Sequence, residues 1–211
     1  ISLNDAKKAV NVLHEAFFET TYTQVHLSVA GVGNVGSRLL SQLLQQQSYL
    51  RKNLRLSVRV VGIANSRKMY FNNNGIDLEN WKELLQEGNS MNLSQFVHTI
   101  KTKNLRNFAF VDVTADKEVA PHYDEILEKS VSVVACNKIA ASSSFGYYEK
   151  LKNLAREFNV HFLFETNVGA GLPVIGTLND LLLSGDKVLK IEAVLSGTLN
   201  FVFNNYDGQK T

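Results

Sequence analysis

Apolar positions along the chain follow two alternating periods. Short runs at 25–30 (VHLSVA), 58–64 (VRVVGIA), 108–113, 131–135 and 160–164 have the β-branched and aromatic content of buried strands. Between them the apolar residues fall at helical spacing. Val35, Leu39, Leu40, Leu43 and Leu44 share a face of a helix over 34–47. Leu78, Trp81, Leu84 and Leu85 do so over 77–86, where Asp77 is placed to cap. A weaker pattern covers 93–100, a helix over 116–129 turns Val119, Tyr123, Ile126 and Leu127 inward, and another spans 145–158. Such alternation predicts a doubly wound α/β fold of Rossmann type, a parallel sheet covered by helices on both faces.

The pattern changes after residue 164. A glycine-rich turn leads into an apolar helix over 173–183, and 188–195 and 198–203 read as strands. These predict the beginning of a second, α+β domain. Residues 5–18 form a further amphipathic pattern, with Ala6, Ala9, Val10, Leu13, Ala16 and Phe17 on one side. No strand–helix unit requires it, so it is expected as a helix packed outside the main domain. The predicted division is 1–21, 22–164 and 165–211.

Composition narrows the function classes. The 211 residues carry 22 basic and 20 acidic side chains, a net charge of +2. That argues against a dedicated nucleic-acid binder, which shows a basic stripe. No apolar run approaches the ~20 residues of a membrane span, and the N-terminus has no apolar signal core. A single cysteine, Cys136, excludes an internal disulfide and fits a cytoplasmic protein.

Gly31-Val32-Gly33-Asn34-Val35-Gly36 matches G-x-G-x-x-G directly after the first strand and at the start of a helix. That context gives a short pattern its meaning. Gly31 permits the turn, Gly33 lets backbone approach a pyrophosphate, and Gly36 lets helix pack on strand. The N–H groups at the helix start face the phosphate. An NAD site carries an acidic residue at the end of the second strand, about 20 residues after the last glycine. Here Asn65-Ser66-Arg67-Lys68 contains none. Ser66 and Arg67 suit a 2′-phosphate, so NADP is the expected cofactor, with NAD possible; the plain alternative is a solvated Arg67 and Lys68.

Asn137-Lys138 follows the strand at 131–135, and Thr114 follows the one at 108–113. Carboxyl ends of strands are where open α/β sheets bind ligands. A lysine there can hold a substrate oxygen or shuttle a proton, but on its own Lys138 reads better as a surface lysine at a strand end. Glu165-Thr166-Asn167-Val168-Gly169-Ala170-Gly171-Leu172-Pro173 forces an irregular backbone, whose carbonyls suit a hard cation or whose flexibility suits a hinge. The histidines are scattered without paired ligand spacing, and no nucleophile elbow or Walker loop is present.

AGVGNVG at 30–36, VVGIANSR at 60–67, VDVTA at 111–115, NK at 137–138, ETNVGAGLPVI at 165–175 and LSGTLNFVF at 195–203 together resemble homoserine dehydrogenase, over about residues 25–207. GIDLENWKELL at 75–85 and the N-terminal ISLNDAKKAVNVLHEAFFE are similar to the bifunctional aspartokinase–homoserine dehydrogenases, in which the latter would be the end of an upstream regulatory region. The resemblance implies NAD(P)H-dependent reduction of L-aspartate 4-semialdehyde to L-homoserine, in threonine and methionine synthesis. It implies nucleotide contacts from Gly31–Gly36, Thr114 and Lys138, with Lys138 also catalytic, and substrate contacts from Gly197 and Thr198. It further implies sodium or another monovalent cation on the carbonyls of Glu165, Val168, Ala170 and Leu172, and a homodimer or larger homo-oligomer.

Two departures qualify it. Ile139 stands where the family commonly has a second lysine. The family's acidic substrate-binding segment and its proposed catalytic Asp and Lys lie downstream of SGTLNF, so the 211 residues are expected to bind nucleotide but to turn over poorly or not at all. A non-catalytic NAD(P)-binding module and a dehydrogenase for another amino-acid aldehyde or imine are the competing readings.

Overall fold

The computed structural model describes residues 22–103, 105–194 and 196–206, together with Ala6, Ala9, Val10 and Leu13. The β-branched runs form five parallel strands: β1 (Thr23–Ala30), β2 (Leu56–Ala64), β5 (Phe108–Asp112), β6 (Ser132–Ala135) and β7 (Phe162–Leu163). Two short strands, β3 (Lys68–Phe71) and β4 (Asn89–Ser90), extend the sheet antiparallel beyond β2. The spatial order is β4-β3-β2-β1-β5-β6-β7, so the chain reverses direction across the sheet at β1. That reversal is the switch point where open α/β sheets bind ligands.

The helices are α1 (Asn34–Leu54), α2 (Trp81–Glu87), α3 (Leu93–Thr102), α4 (Tyr123–Leu127), α5 (Ile139–Ser142), α6 (Phe145–Glu157), α7 (Val174–Leu183) and α8 (Gly197–Asn205). α1 outruns its predicted end by seven residues. It stops where Arg55 turns left-handed (φ 51) and donates its N–H to Leu50 O. Leu40 of α1 is buried with Val29, Val60 and Ile63 of the sheet, and Leu39, Leu43 and Leu44 pack against that cluster. Elsewhere in the core aromatic rings make a chain, Phe71–Phe96–Phe110–Tyr123–Phe162, with centroid spacings of 5.0, 6.3, 6.2 and 6.1 Å. It runs from β3 through α3, β5 and α4 to β7, linking strands far apart in the sheet.

Capping sets several boundaries. Asn92 Oδ1 accepts from Gln95 N at 2.9 Å and starts α3, whose Phe96, Val97 and Ile100 are buried. Asn92→Ala is expected to cost about 1 kcal/mol, lowering the melting temperature by roughly 2–4 °C in a calorimetric scan. Asp77 instead makes a turn: its carboxylate accepts from Glu79 N and Asn80 Nδ2, so α2 starts later than predicted, at Trp81. The helix expected over 116–129 shortens to a 3-10 turn at Ala120–His122 followed by α4. Asp116 and Thr114 hold the preceding residues in side-chain-capped turns that compete with helix, and Pro121 lies in the 3-10 turn. The inward residues Val119, Tyr123, Ile126 and Leu127 are nevertheless all buried.

The chain divides into two compact units, Ile1–Leu163 and Phe164–Thr211. In the second, the helix expected over 173–183 forms as α7, but the expected strands do not. Residues 188–194 have no regular structure and 198–203 lie in α8. A strand needs a neighbour for its backbone groups, whereas a helix satisfies them internally. Ser196 supplies the cap, its hydroxyl accepting from Leu199 N. The helix expected over 5–18 lies largely outside the described residues. Of its described members, Val10 and Leu13 are 63% and 55% exposed, so they are not packed on a core. No helix among the described residues is long and apolar enough to cross a membrane.

Candidate cofactor and substrate site

Register places the chemistry of the first unit along one edge. Ala30 of β1 pairs with Ala64 of β2 and with Asp112 of β5, and Asp112 pairs with Ala135 of β6. These four residues form one row across the carboxyl ends of four neighbouring strands. The glycine loop leaves from Ala30, the Ser66-Arg67 segment from Ala64, Thr114 from Asp112, and Asn137-Lys138 from Ala135. Segments up to 107 residues apart in sequence therefore share one rim.

The glycine loop is tied down on one side and open on the other. Gly31 N and Val32 N both donate to Ala64 O, at 2.8 and 3.2 Å. Gly31 adopts φ +92, and a Cβ there would lie 2.9 Å from Val113 backbone. A Cβ on Gly36 would lie 2.0 Å from Gly31 O, whereas one on Gly33 would meet nothing within 4 Å. Gly33 is the N-cap of α1 and no side chain caps that helix start. Asn34 and Val35 are exposed beside it. The loop thus presents uncapped N–H groups of a long helix beneath open space, which suits an anion.

Ser66 and Arg67 sit exposed at the tip of the β2–β3 hairpin. Asn65 Oδ1 accepts from Arg67 N and Lys68 N at 2.8 and 2.7 Å, fixing the tip. Lys68 is not merely solvated: its Nζ donates to Gly88 O at 2.8 Å and clips β3 to the turn before β4. Arg67 is left as the cation at the tip. Next to the loop, a groove of about 620 Å³ runs between α1 and the 78–83 segment, with Arg38 and Lys82 opposed by Glu79 and Glu83 in its walls.

Beneath Thr114 and Lys138 lies a buried polar cluster that sequence reading overlooked. Asp112 is fully buried. Its Oδ1 accepts from Thr114 N at 2.8 Å, and its Oδ2 from Tyr123 OH at 2.5 Å and Asn137 Nδ2 at 3.1 Å. Burial raises the Asp112 pKa above the usual carboxylate value, against the hydrogen bonds from Tyr123, Thr114 and Asn137. Burial and the adjacent Asp112 push the Tyr123 hydroxyl well above its ordinary value, so it remains a donor. Asn137 Nδ2 also donates to Asp116 O, and Asn137 Oδ1 accepts from Ile139 N. Lys138, between these anchors, is exposed at the N-cap of α5. Cys136 is half-buried, with its N–H on Asp112 O.

In the second unit the Glu165–Pro173 turn contains two consecutive left-handed residues, Gly169 (φ +71) and Ala170 (φ +53). Glu165 O accepts Val168 N at 3.4 Å, and the carbonyls of Glu165, Val168, Ala170 and Leu172 all belong to this turn. The Glu165 carboxylate is engaged differently. Its two oxygens accept from Ile175 N and Gly176 N at 2.8 and 2.7 Å, capping α7. Gly197 and Thr198 occupy the exposed first turn of α8. No group of three or more His, Cys, Asp or Glu among the described residues is arranged to hold a metal ion.

The family model described as "Homoserine dehydrogenase, NAD binding domain" matches residues 31–165, and that described as "Homoserine dehydrogenase" matches 173–211. The chain is 42% identical to the chloroplastic bifunctional aspartokinase/homoserine dehydrogenase 1 of Zea mays, over 98% of this chain and 23% of that protein. It thus spans about a quarter of that relative's length. Among solved structures, a Candida auris protein of unknown function is similar over 89% of this chain and 52% of its own, with a TM-score of 0.71 at 30% identity. A hyperthermophilic archaeal homoserine dehydrogenase in complex with NADPH is similar over 77% and 50%, with a TM-score of 0.61 at 27% identity.

Proposed function

The chain belongs to the homoserine dehydrogenase family, and from that premise we propose that the protein reduces L-aspartate 4-semialdehyde to L-homoserine with NADPH, a step toward threonine and methionine. The observation that carries the reading is the single row Ala64–Ala30–Asp112–Ala135, above which four sequence-distant segments form one track. Its first part is Ser66 and Arg67 for a 2′-phosphate. Next come Gly31, Val32, Gly33, Asn34, Val35 and Gly36 for the pyrophosphate. Thr114 and Lys138 lie past β1, where the strand order brings the nicotinamide half. The open space over Gly33 fits a phosphate group in contact with backbone.

The nicotinamide supplies the hydride when bound; the protein supplies orientation and charge. Lys138 holds an ammonium at the rim and stabilises negative charge on the substrate's carbonyl oxygen. Thr114 orients the ring side of the nucleotide through a hydroxyl whose backbone is fixed by Asp112. Gly197 and Thr198 are proposed substrate contacts, resting on the sequence resemblance. A monovalent cation is proposed on the carbonyls of Glu165, Val168, Ala170 and Leu172. The oxygen donors and the left-handed pair at 169–170 support it. Assembly as a homodimer or larger oligomer is supported by Phe201 and Phe203 of α8, 68% and 76% exposed. The cytoplasm is the proposed compartment, although the maize relative is named chloroplastic.

The test is steady-state oxidation of NADPH by the full-length protein with aspartate semialdehyde. The expected result is turnover in the ordinary enzymatic range, of order 1–1000 per second. Tight NADPH binding without turnover would instead support a binding module.

A further inference from the structure

We propose that Asp112 and Tyr123 are positioning residues for the nicotinamide half of the site: a buried brace that sets where Thr114 and Lys138 stand. The inference rests on the cofactor reading above and adds two residues to it. Asp112 ends β5 and is 0% exposed. Tyr123, also 0% exposed, reaches it from α4 at 2.5 Å. From there the carboxylate has two outputs. Through Oδ1 it holds the backbone N–H of Thr114 at 2.8 Å. Through Oδ2 it holds the amide of Asn137 at 3.1 Å.

Asn137 transmits the second output. Its Nδ2 bridges Asp112 Oδ2 to Asp116 O, the latter at 2.8 Å, and lies 3.4 Å from Thr114 Oγ1. Its Oδ1 accepts from Ile139 N at 3.0 Å. The residues on both sides of Lys138 are therefore fixed by one side chain, which is itself fixed by Asp112. The tips of β5 and β6 are thereby joined by one hydrogen-bonded cluster.

Stability alone is a poor reason for such an arrangement. A carboxylate taken from water is costly, and apolar residues of similar volume commonly stabilise at least as well. What a satisfied polar cluster supplies is a single geometry, because each partner has directional bonds. Tyr123 is also a link in the aromatic chain, between Phe110 and Phe162 at 6.2 and 6.1 Å. Its ring is thus locked by packing, which leaves the hydroxyl only one direction to point.

The track predicts a split that a merely structural brace would not show. Ser66, Arg67 and the glycine loop bind the adenosine and phosphate end; the hydrogen bonds of the Asp112 carboxylate and the Tyr123 hydroxyl go instead to Thr114 and Asn137 and to each other. Tyr123→Phe in the full-length protein removes one hydroxyl and keeps the ring. NADPH affinity is expected to fall about tenfold, on the scale of a hydrogen bond to a charged group. Affinity for 2′,5′-ADP, which lacks the nicotinamide, is expected to stay within about twofold. Asp112→Asn should show the same split more strongly; if it fails to fold, Tyr123→Phe carries the test alone. Equal weakening of both nucleotides, or no weakening of either by Tyr123→Phe, would overturn the brace. Wild-type protein that binds neither nucleotide overturns the cofactor reading itself and the brace with it, a failure visible before any variant is made.

Discussion

Gly36→Ala is expected to weaken nucleotide binding and to destabilise the first unit, while Gly33→Ala weakens binding alone. The two glycines differ in what a methyl group would meet. At Gly36 it would lie 2.0 Å from Gly31 O and 2.9 Å from Gly31 C. Both are backbone atoms, so relief requires the loop to move. The loop cannot move cheaply, because Gly31 N and Val32 N are both bonded to Ala64 O. Overpacking of this kind costs roughly 1–3 kcal/mol or more, a fall of about 2–12 °C in melting temperature for a chain of this size. At Gly33 the methyl would meet no protein atom within 4 Å, and φ of −75 suits any residue. Its stability cost is that of a poorer helix cap, under about 1 kcal/mol. The methyl would occupy the space a pyrophosphate must enter, so the NADPH dissociation constant should rise at least tenfold. Thermal melting paired with calorimetric titration separates the two effects. Wild-type NADPH affinity in Gly33→Ala would remove the phosphate from this loop.

The second large effect concerns cofactor choice. Arg67→Ala should raise the dissociation constant for NADPH by about tenfold and leave that for NADH unchanged. Ser66 and Arg67 stand at the hairpin tip, where Asn65 Oδ1 accepts from Arg67 N and Lys68 N and Arg67 O accepts from Met91 N at 2.8 Å. The tip is therefore organised before any ligand arrives, which reduces the ordering cost of binding. A guanidinium on a phosphate makes charge-assisted, bidentate bonds, but this one is exposed. Solvent screening limits the gain, so tenfold is a better expectation than a hundredfold. NADH lacks the 2′-phosphate and serves as the internal control. Equal loss for both cofactors would point to damage at the tip, and an unchanged ratio would place the 2′ end elsewhere.

Much of the first unit was legible because its signals are local. The strand runs at 25–30 and 58–64, the helix opened by the glycine loop, and the inward face of Tyr123, Ile126 and Leu127 all follow from residue type and period. The short antiparallel pair β3 and β4 was missed. Lys68–Phe71 has no alternation to mark it, and its partner strand lies about 20 residues away, held by the Lys68–Gly88 bond. The second unit was misread for a related reason. Val188–Val194 and Thr198–Phe203 have the composition of strands, yet strand propensity reports fit to a neighbouring strand. With no strand among the described residues of the second unit, the Ser196 cap favours helix for the latter.

The sequence by itself determined the strand–helix alternation of the first unit, apart from β3 and β4, together with the glycine loop and the absence of a carboxylate after β2. These depend on neighbours a few bonds apart and on the period of apolar side chains. Only the tertiary structure decided which strand ends stand side by side, and that a buried Asp112, itself held by Tyr123, joins Thr114 to Asn137. Those relations are set by parallel register between strands up to about 80 residues apart, where a shift of one residue would turn every side chain to the other face. No local pattern carries that information, because the hydrogen bonds that define it exist only once the sheet has assembled.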